Sequence, residues 1–425
     1  MTEEFETLLR IASAGARGCE LESNAVREIN LEKTLKLAQE HSVLELVLVA
    51  LRKCRNGDAS GVLSREQLLS LRQAISVNSV KKQAILALIS EMEASGIPVL
   101  IMKGYAVGEF YGYPECRVST DTDLLIRPED EQKSCAFLEA KGFSIKPRWS
   151  NGHHATTHHE FYGFVELHVR LYDELIEEVW FGRDRSSGFV QDEPQTVNSC
   201  VGVYHTLGVT DHLLFLALHM VKHFILSGIG IRMILDLAIY ISANRENIDF
   251  DRFWGTVYAL KYDQLIQCIL WAAVKYCGFD QDSFPGLDMS FEFSPKVEQV
   301  LTDLESGGFL GERTRTESKA VWMEYNRQII MQDKGKFGYT AYMLWCKVKS
   351  YLRTLFPSRQ QLAVYYPYVL QKTWLIPYAW MHRFLFRGIK RLISGETTDW
   401  IVDDQTQLSG TQEERMQLFR ELGFL

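Results

Sequence analysis

The residues whose types and spacing suit chemistry are Lys103-Gly104, then Asp121-Thr122-Asp123, then Glu166. Two aspartates two apart on a strand project from one face, and a carboxylate on a neighbouring strand can converge with them. Three such charges repel: at ~4 Å and an effective dielectric near ~20, each pair costs about 4 kcal/mol. A divalent cation removes that repulsion, and all-oxygen ligands suit Mg²⁺ or Mn²⁺, which bind through a few carboxylates plus substrate phosphates. With two ions, one activates an acceptor hydroxyl while the other stabilises a leaving pyrophosphate. A turn at Gly104 lets backbone amides approach a triphosphate, and Lys103 and Arg117 supply positive charge. The pattern is one of phosphoryl-group chemistry. Neutralising Asp121 or Asp123 is expected to abolish transfer and to leave the fold intact or slightly more stable, because one of several repelling charges is removed.

These residues need a sheet to hold them. Ile97 to Met102 is a short apolar, β-branched run after Gly96 and predicts a buried strand. Thr120 to Ile126 predicts a second, with Asp121, Asp123 and Leu125 on one face. Phe161 to Leu171 predicts a third, with Glu166, His168 and Arg170 opposite Val165, Leu167 and Val169. Glu129 to Ala140 predicts a helix closed by Gly142. Upstream, Leu31 to Cys54 and Ser64 to Ser95 have helical periodicity, the latter opened by a capping box of Ser64 and Gln67. Downstream, Thr210-Asp211 is expected to cap a helix over Leu213 to Leu226 that is apolar nearly all round, with His212, His219 and His223 on one stripe. A second helix, Ile229 to Asn244, aligns Arg232, Asp236 and Tyr240. The two stripes fit either a buried ion-pair network or the lining of a cleft.

At 425 residues the chain is long enough for two or three domains and buries about 75% of its unfolded surface. With 46% hydrophobic and 24% charged residues it is globular rather than disordered. No run is expected to be long and apolar enough for a membrane span, and the acidic start lacks a secretory pattern, which points to the cytoplasm. Eight scattered cysteines without a C-x-x-C pair indicate core thiols rather than zinc ribbons or disulfides. His153, His154, His158, His159 and Glu160 invite a zinc site, but Asn151-Gly152 beside them favours a loop or hairpin. Net charge is −8, yet Lys334 to Gly395 holds no acid and carries +11, so the remainder carries −19. Aromatics interleave this basic segment, which fits docking onto the acidic body or a small anionic partner better than nucleic acid.

Ile101-Met102-Lys103-Gly104-Tyr105-Ala106, Tyr113, Arg117, Asp121-Thr122-Asp123-Leu124-Leu125-Ile126, Gly142-Phe143 and Val165-Glu166-Leu167-His168 resemble the bacterial uncharacterised nucleotidyltransferase family of the polymerase-β-like superfold. The likeness extends through Leu218-His219, His223, Arg232 and Asp236 to Tyr366-Pro367 and Ile376-Pro377. It implies an α+β fold: a small mixed sheet forming the nucleotidyltransferase core, flanked by N-terminal and C-terminal helical regions. The expected divisions are 1–95 helical, 96–205 core, 206–330 helical, 331–395 basic and aromatic, and 396–425 an acidic tail.

The resemblance implies transfer of an NMP from an NTP, ATP first among them, to a hydroxyl or phosphate of a small-molecule, peptide or glycan acceptor. Mg²⁺ or Mn²⁺ is expected on Asp121, Asp123 and Glu166, and nucleotide on Lys103, Gly104, Arg117 and Ser119. His168, His219, His223, Arg232 and Asp236 are expected to support them. Tyr105 stands where many members of the superfold have serine, so that serine's contact to the triphosphate falls to Lys103, Ser119 or Thr120. The alternatives are a catalytically silent binding or regulatory protein and a nucleic-acid-modifying transferase.

Overall fold

The computed structural model describes residues 1–21, 30–53, 63–146, 153–172, 190–289, 294–307, 321–322, 324–329, 366–370, 372–383 and 410–425, with isolated positions between 331 and 362. Residues 1–321 and 414–425 form one compact unit and 322–413 a second. Most of the basic segment, including Lys334, Lys347, Arg387, Lys390 and Arg391, lies outside the described residues.

The first unit opens with α1 (Glu3–Arg17), α2 (Leu31–Glu40), α3 (Leu44–Arg52) and α4 (Arg65–Ala94). The helical periodicity over Leu31 to Cys54 resolves into two helices, parted where Ser42 takes a left-handed φ of 52° that the helical ladder cannot carry. The Ser64/Gln67 capping box forms as expected: the Gln67 amide donates to Ser64 Oγ, and the Ser64 amide to Gln67 Oε1. There follow β1 (Val99–Met102), α5 (Gly104–Gly108), β2 (Asp121–Ile126), α6 (Glu131–Ala140), β3 (Ser144–Lys146), β4 (His154–His159), β5 (Gly163–His168), β6 (Gln195–Ser199) and β7 (Gly202–Thr206). Cys19, just beyond the end of α1, and Cys200, in the β6–β7 turn, are exposed rather than core thiols, whereas Cys116, Cys268 and Cys277 are buried.

The strands make one seven-stranded mixed sheet in the order β3-β4-β5-β2-β1-β7-β6. β2 pairs antiparallel with β1 and parallel with β5, which puts the two acid-bearing strands side by side in its middle. One face is a core of Val99, Ile101, Leu124, Ile126, Val165 and Leu167 against Ile85, Ile89 and Met92 of α4 and Leu138 of α6. Alternation then sends Asp121, Asp123 and Glu166 to the other face.

That face is met by α7 (Val209–Leu226) and α8 (Ile231–Asn244), followed by α9 (Phe250–Ala259), α10 (Asp263–Cys277) and α11 (Ser294–Gly307). α7 starts at Gly208 rather than at a Thr210-Asp211 cap, because the Asp211 carboxylate instead accepts from the Gln191 and Asp192 amides. At 18 residues and mean hydropathy 1.3, α7 is by length and composition apolar enough to cross a membrane, but 72% of it is buried within the protein, as in a core helix. In the second unit, α12 (Ile376–Arg383) contributes Ala379 to a small core with Leu362 and Val369. The last helix, α13 (Gly410–Glu421), begins there, and residues 414–425 belong to the first unit.

Candidate active site

In the parallel β2/β5 ladder Asp123 lies opposite Glu166, and in the β4/β5 ladder Glu166 lies opposite Thr156 and His154 opposite His168. Asp123 is 1% exposed. Its Oδ1 is 3.0 Å from His168 Nε2, which is also 3.3 Å from Glu166 Oε2. Glu166 Oε1 faces His154 Nε2 at 3.5 Å. Asp121 stands two residues earlier on the same face, half-buried, with Ser119 Oγ donating to its carbonyl (2.9 Å) and 3.3 Å from its Oδ1.

Lys103 closes β1 in a backbone conformation that side chains rarely adopt, φ 40° and ψ −141°. Such a residue costs on the order of 1–3 kcal/mol and is kept only where its surroundings fix it. Here the Lys103 N–H donates to His212 Nε2 (3.2 Å), His212 Nδ1 faces Thr206 Oγ1 (3.4 Å), and the Thr206 hydroxyl donates to the Ile101 carbonyl (2.6 Å). His212 therefore acts as an acceptor, and burial agrees by pushing its pKa down to about 3. The turn delivers Lys103 Nζ to within 3.1 Å of Asp123 Oδ2 and 3.3 Å of His219 Nε2. Burial alone would strip the lysine's proton, but the charges of Asp123, Asp121 and Glu166 outweigh it and raise its pKa. Burial would likewise raise Asp123, yet Lys103 and His168 pull it well below the ordinary carboxylate range. Glu166 is lowered too, His168 outweighing burial and the neighbouring Asp123, while the two acids raise His168 against its burial.

Gly104 follows with φ 47°, and a Cβ there would meet nothing within 4 Å, so the backbone at this turn is open. Tyr105 packs against the sheet core and is hydrogen-bonded to Thr122. It turns away from the carboxylates.

The expected helix stripes resolve into a network whose main cation is Arg117. Arg117 Nε and NH2 donate to the two Asp236 oxygens, each at 2.7 Å, and Tyr111 OH donates to Asp236 at 2.7 Å. Arg232 donates to the Val118 carbonyl and its charge joins that of Arg117 in acting on Asp236, while His219 accepts from Lys103. Burial would raise Asp236, but Arg117 outweighs it and holds the acid low. His219 and His223 are both held low, first by burial and then by Lys103. The same residues also line a cleft of about 140 Å³ with Lys103, Ser119, Thr120 and Asp121. Both readings of the stripes therefore hold. The cleft has an acidic wall on β2 and a basic one of Arg117 and Arg232.

Of the expected metal set, Asp123 and Glu166 each offer an oxygen within 4.8 Å of the other and of a His168 nitrogen, and Asp121 stands next along the strand. The donor set fits a hard divalent cation, and the buried ammonium of Lys103 among three acids shows that positive charge is favoured there. Tyr111, Thr206 and His212 are site residues to which the sequence gave no role; for His212 the stripe with His219 and His223 was the signal. No curated protein and no solved structure matches the chain. The model of the uncharacterised nucleotidyltransferase family matches residues 27–278, more than half of the chain and all of the residues just placed, and the chain belongs to that family.

Proposed function

We propose that the protein is a metal-dependent nucleotidyltransferase that moves an NMP from an NTP, ATP first, to a hydroxyl or phosphate of a small-molecule, peptide or glycan acceptor. The carrying observation is the register of Asp123 against Glu166 beside Asp121, with a buried lysine among them. Asp121, Asp123 and Glu166 would hold Mg²⁺ or Mn²⁺, which when bound lowers the pKa of an acceptor hydroxyl and neutralises phosphate charge. Lys103, whose ammonium pairs with Asp123, would be the cation nearest the phosphates once the carboxylates hold metal. Gly104 leaves room for the triphosphate, and Arg117 and Arg232 set a positive field along the opposite wall. His168 keeps Asp123 ionised and oriented. The same proposal sets the enzyme in the bacterial cytoplasm, where NTPs are made.

A second reading, a fold that binds without catalysis, is favoured by one observation: Lys103 already neutralises Asp123, and Tyr105 replaces the serine. Cell extract incubated with the protein and α- or γ-labelled NTPs separates the two. Label passing to a product from the α position, with Mg²⁺ or Mn²⁺ and not in Asp121→Asn, supports transfer. Label from the γ position only, or none, sinks it. Calorimetry with a non-hydrolysable NTP analogue then distinguishes silent binding, which needs no metal, from the coupled binding of metal and nucleotide expected here.

A further inference from the structure

We propose that His153, His154 and His168 bind a borderline transition-metal ion of the zinc class, at a site of its own beside the carboxylates. One nitrogen from each ring lies within 4.8 Å of the others, and the ring centroids are 4.4, 5.1 and 5.0 Å apart. The β4/β5 hairpin creates this grouping. Its register sets His154 opposite His168, and the Val169 amide donates to the His153 carbonyl (2.9 Å), bringing a residue just outside the strand to the same end.

The orientation of the rings is that of ligands. His154 turns Nε2 to Glu166 Oε1 (3.5 Å) and Nδ1 to His153 Nε2 (3.1 Å). His168 turns Nε2 to Asp123 and Glu166, and its buried Nδ1 has no hydrogen-bond partner among the described residues. Histidines that bind metal characteristically give their other ring nitrogen to a carboxylate, which fixes the tautomer and raises the basicity of the ligating nitrogen. Two of the three rings do this here. Nitrogens about 2.0–2.1 Å from a tetrahedral ion stand roughly 3.3 Å apart, close to the His153–His154 spacing. Imidazole suits zinc and its neighbours and is a poor ligand for magnesium, so this site and the oxygen-lined one select different ions. Three protein nitrogens leave a fourth position for water or an anionic oxygen. With metal on Nδ1, the His168 proton is fixed on Nε2, directed at Asp123, so the two sites are joined through one ring.

The test uses the full chain without nucleotide, so its failure and that of nucleotidyl transfer are told apart. Metal-free protein is dialysed against micromolar zinc and counted by plasma mass spectrometry. About one zinc per chain is expected, retained against millimolar magnesium. The Co²⁺-loaded wild type should show the visible bands of tetrahedral nitrogen ligation. His153→Ala/His154→Ala should lose the metal, His158→Ala/His159→Ala on the same strand should keep it, and Glu166→Gln should weaken binding by about 10–100-fold. A wild type holding no zinc, zinc displaced by magnesium, zinc retained by the first double variant, or a cobalt spectrum without tetrahedral bands overturns the proposal. The wild-type measurements decide even if a variant does not fold.

Discussion

Two charge clusters meet the same cleft, one through Lys103 and Asp121 and the other through Arg117 and Asp236, and they are built on opposite plans. Around Asp236 a bidentate guanidinium and a tyrosine hydroxyl satisfy the carboxylate from fixed directions. Around Asp123 a single flexible ammonium serves three acids, Asp123 Oδ2 meets it as an ion pair without an aligned hydrogen bond, and His168 keeps an unused buried nitrogen. A saturated network rigidifies what it joins, whereas an under-filled one is stable only when something else can arrive. The difference separates scaffold from site more sharply than burial does, since both clusters are buried.

The largest effect should fall on the saturated cluster. Arg117→Met leaves Asp236 buried without its bidentate guanidinium and should cost about 3–5 kcal/mol in urea unfolding, with most of it recovered when Asp236→Leu is added. An unchanged midpoint would mean that the pair is not what holds α8 to the sheet. Next, Asp121→Asn should slow transfer by at least ~10²-fold, about 2.7 kcal/mol of barrier, at an unchanged melting temperature. Asp123→Asn should lose activity and stability together, because Lys103 and His168 both depend on it. For Asp123 this revises the expectation that neutralisation leaves the fold unharmed, because Lys103 and His168 make that carboxylate a partner rather than only a repelling charge.

Histidines sharpen the contrast through pH. His212 is pushed down to about 3 and His41 to about 4, in both cases by burial, from an ordinary value near 6.5. Their folded-state values lie below the unfolded one, so the unfolded chain takes up protons first. Stability should be full above pH ~6.5 and fall on acidification toward ~4, by at most about 1.4 kcal/mol per pH unit for each ring. Melting temperatures across that range should flatten partly in His41→Leu; an identical slope would show that this ring does not charge on unfolding. The smallest change belongs to Gly104→Ala. A Cβ has space there, but φ 47° strains it by about 1 kcal/mol, so a slight loss of stability should accompany weaker nucleotide binding in calorimetry.

The strands carrying Asp121, Asp123 and Glu166 were legible because period-two alternation fixes a face, and a face is all that three acids need in order to meet. The partner of Arg117 was not. Asp236 is 119 positions away, and nothing local distinguishes it from the other polar residues on its helix stripe. β4 was hidden for a different reason: its His- and Thr-rich residues have low apolar contrast, and only pairing with β5 makes them a strand. Lys103 was marked by the glycine beside it, but its own positive φ arises from a histidine 109 positions on.

The end of the chain adds a constraint in time. Phe419, tilted, and Phe424, edge-on, pack against Phe224 near the end of α7, and Arg415 donates to the Phe224 carbonyl. At roughly 5–20 residues per second, the ribosome needs about 10–40 s after making α7 to supply that cover. Throughout that interval the apolar end of the helix lacks its aromatic lid, so this surface stays exposed until the last residues are made.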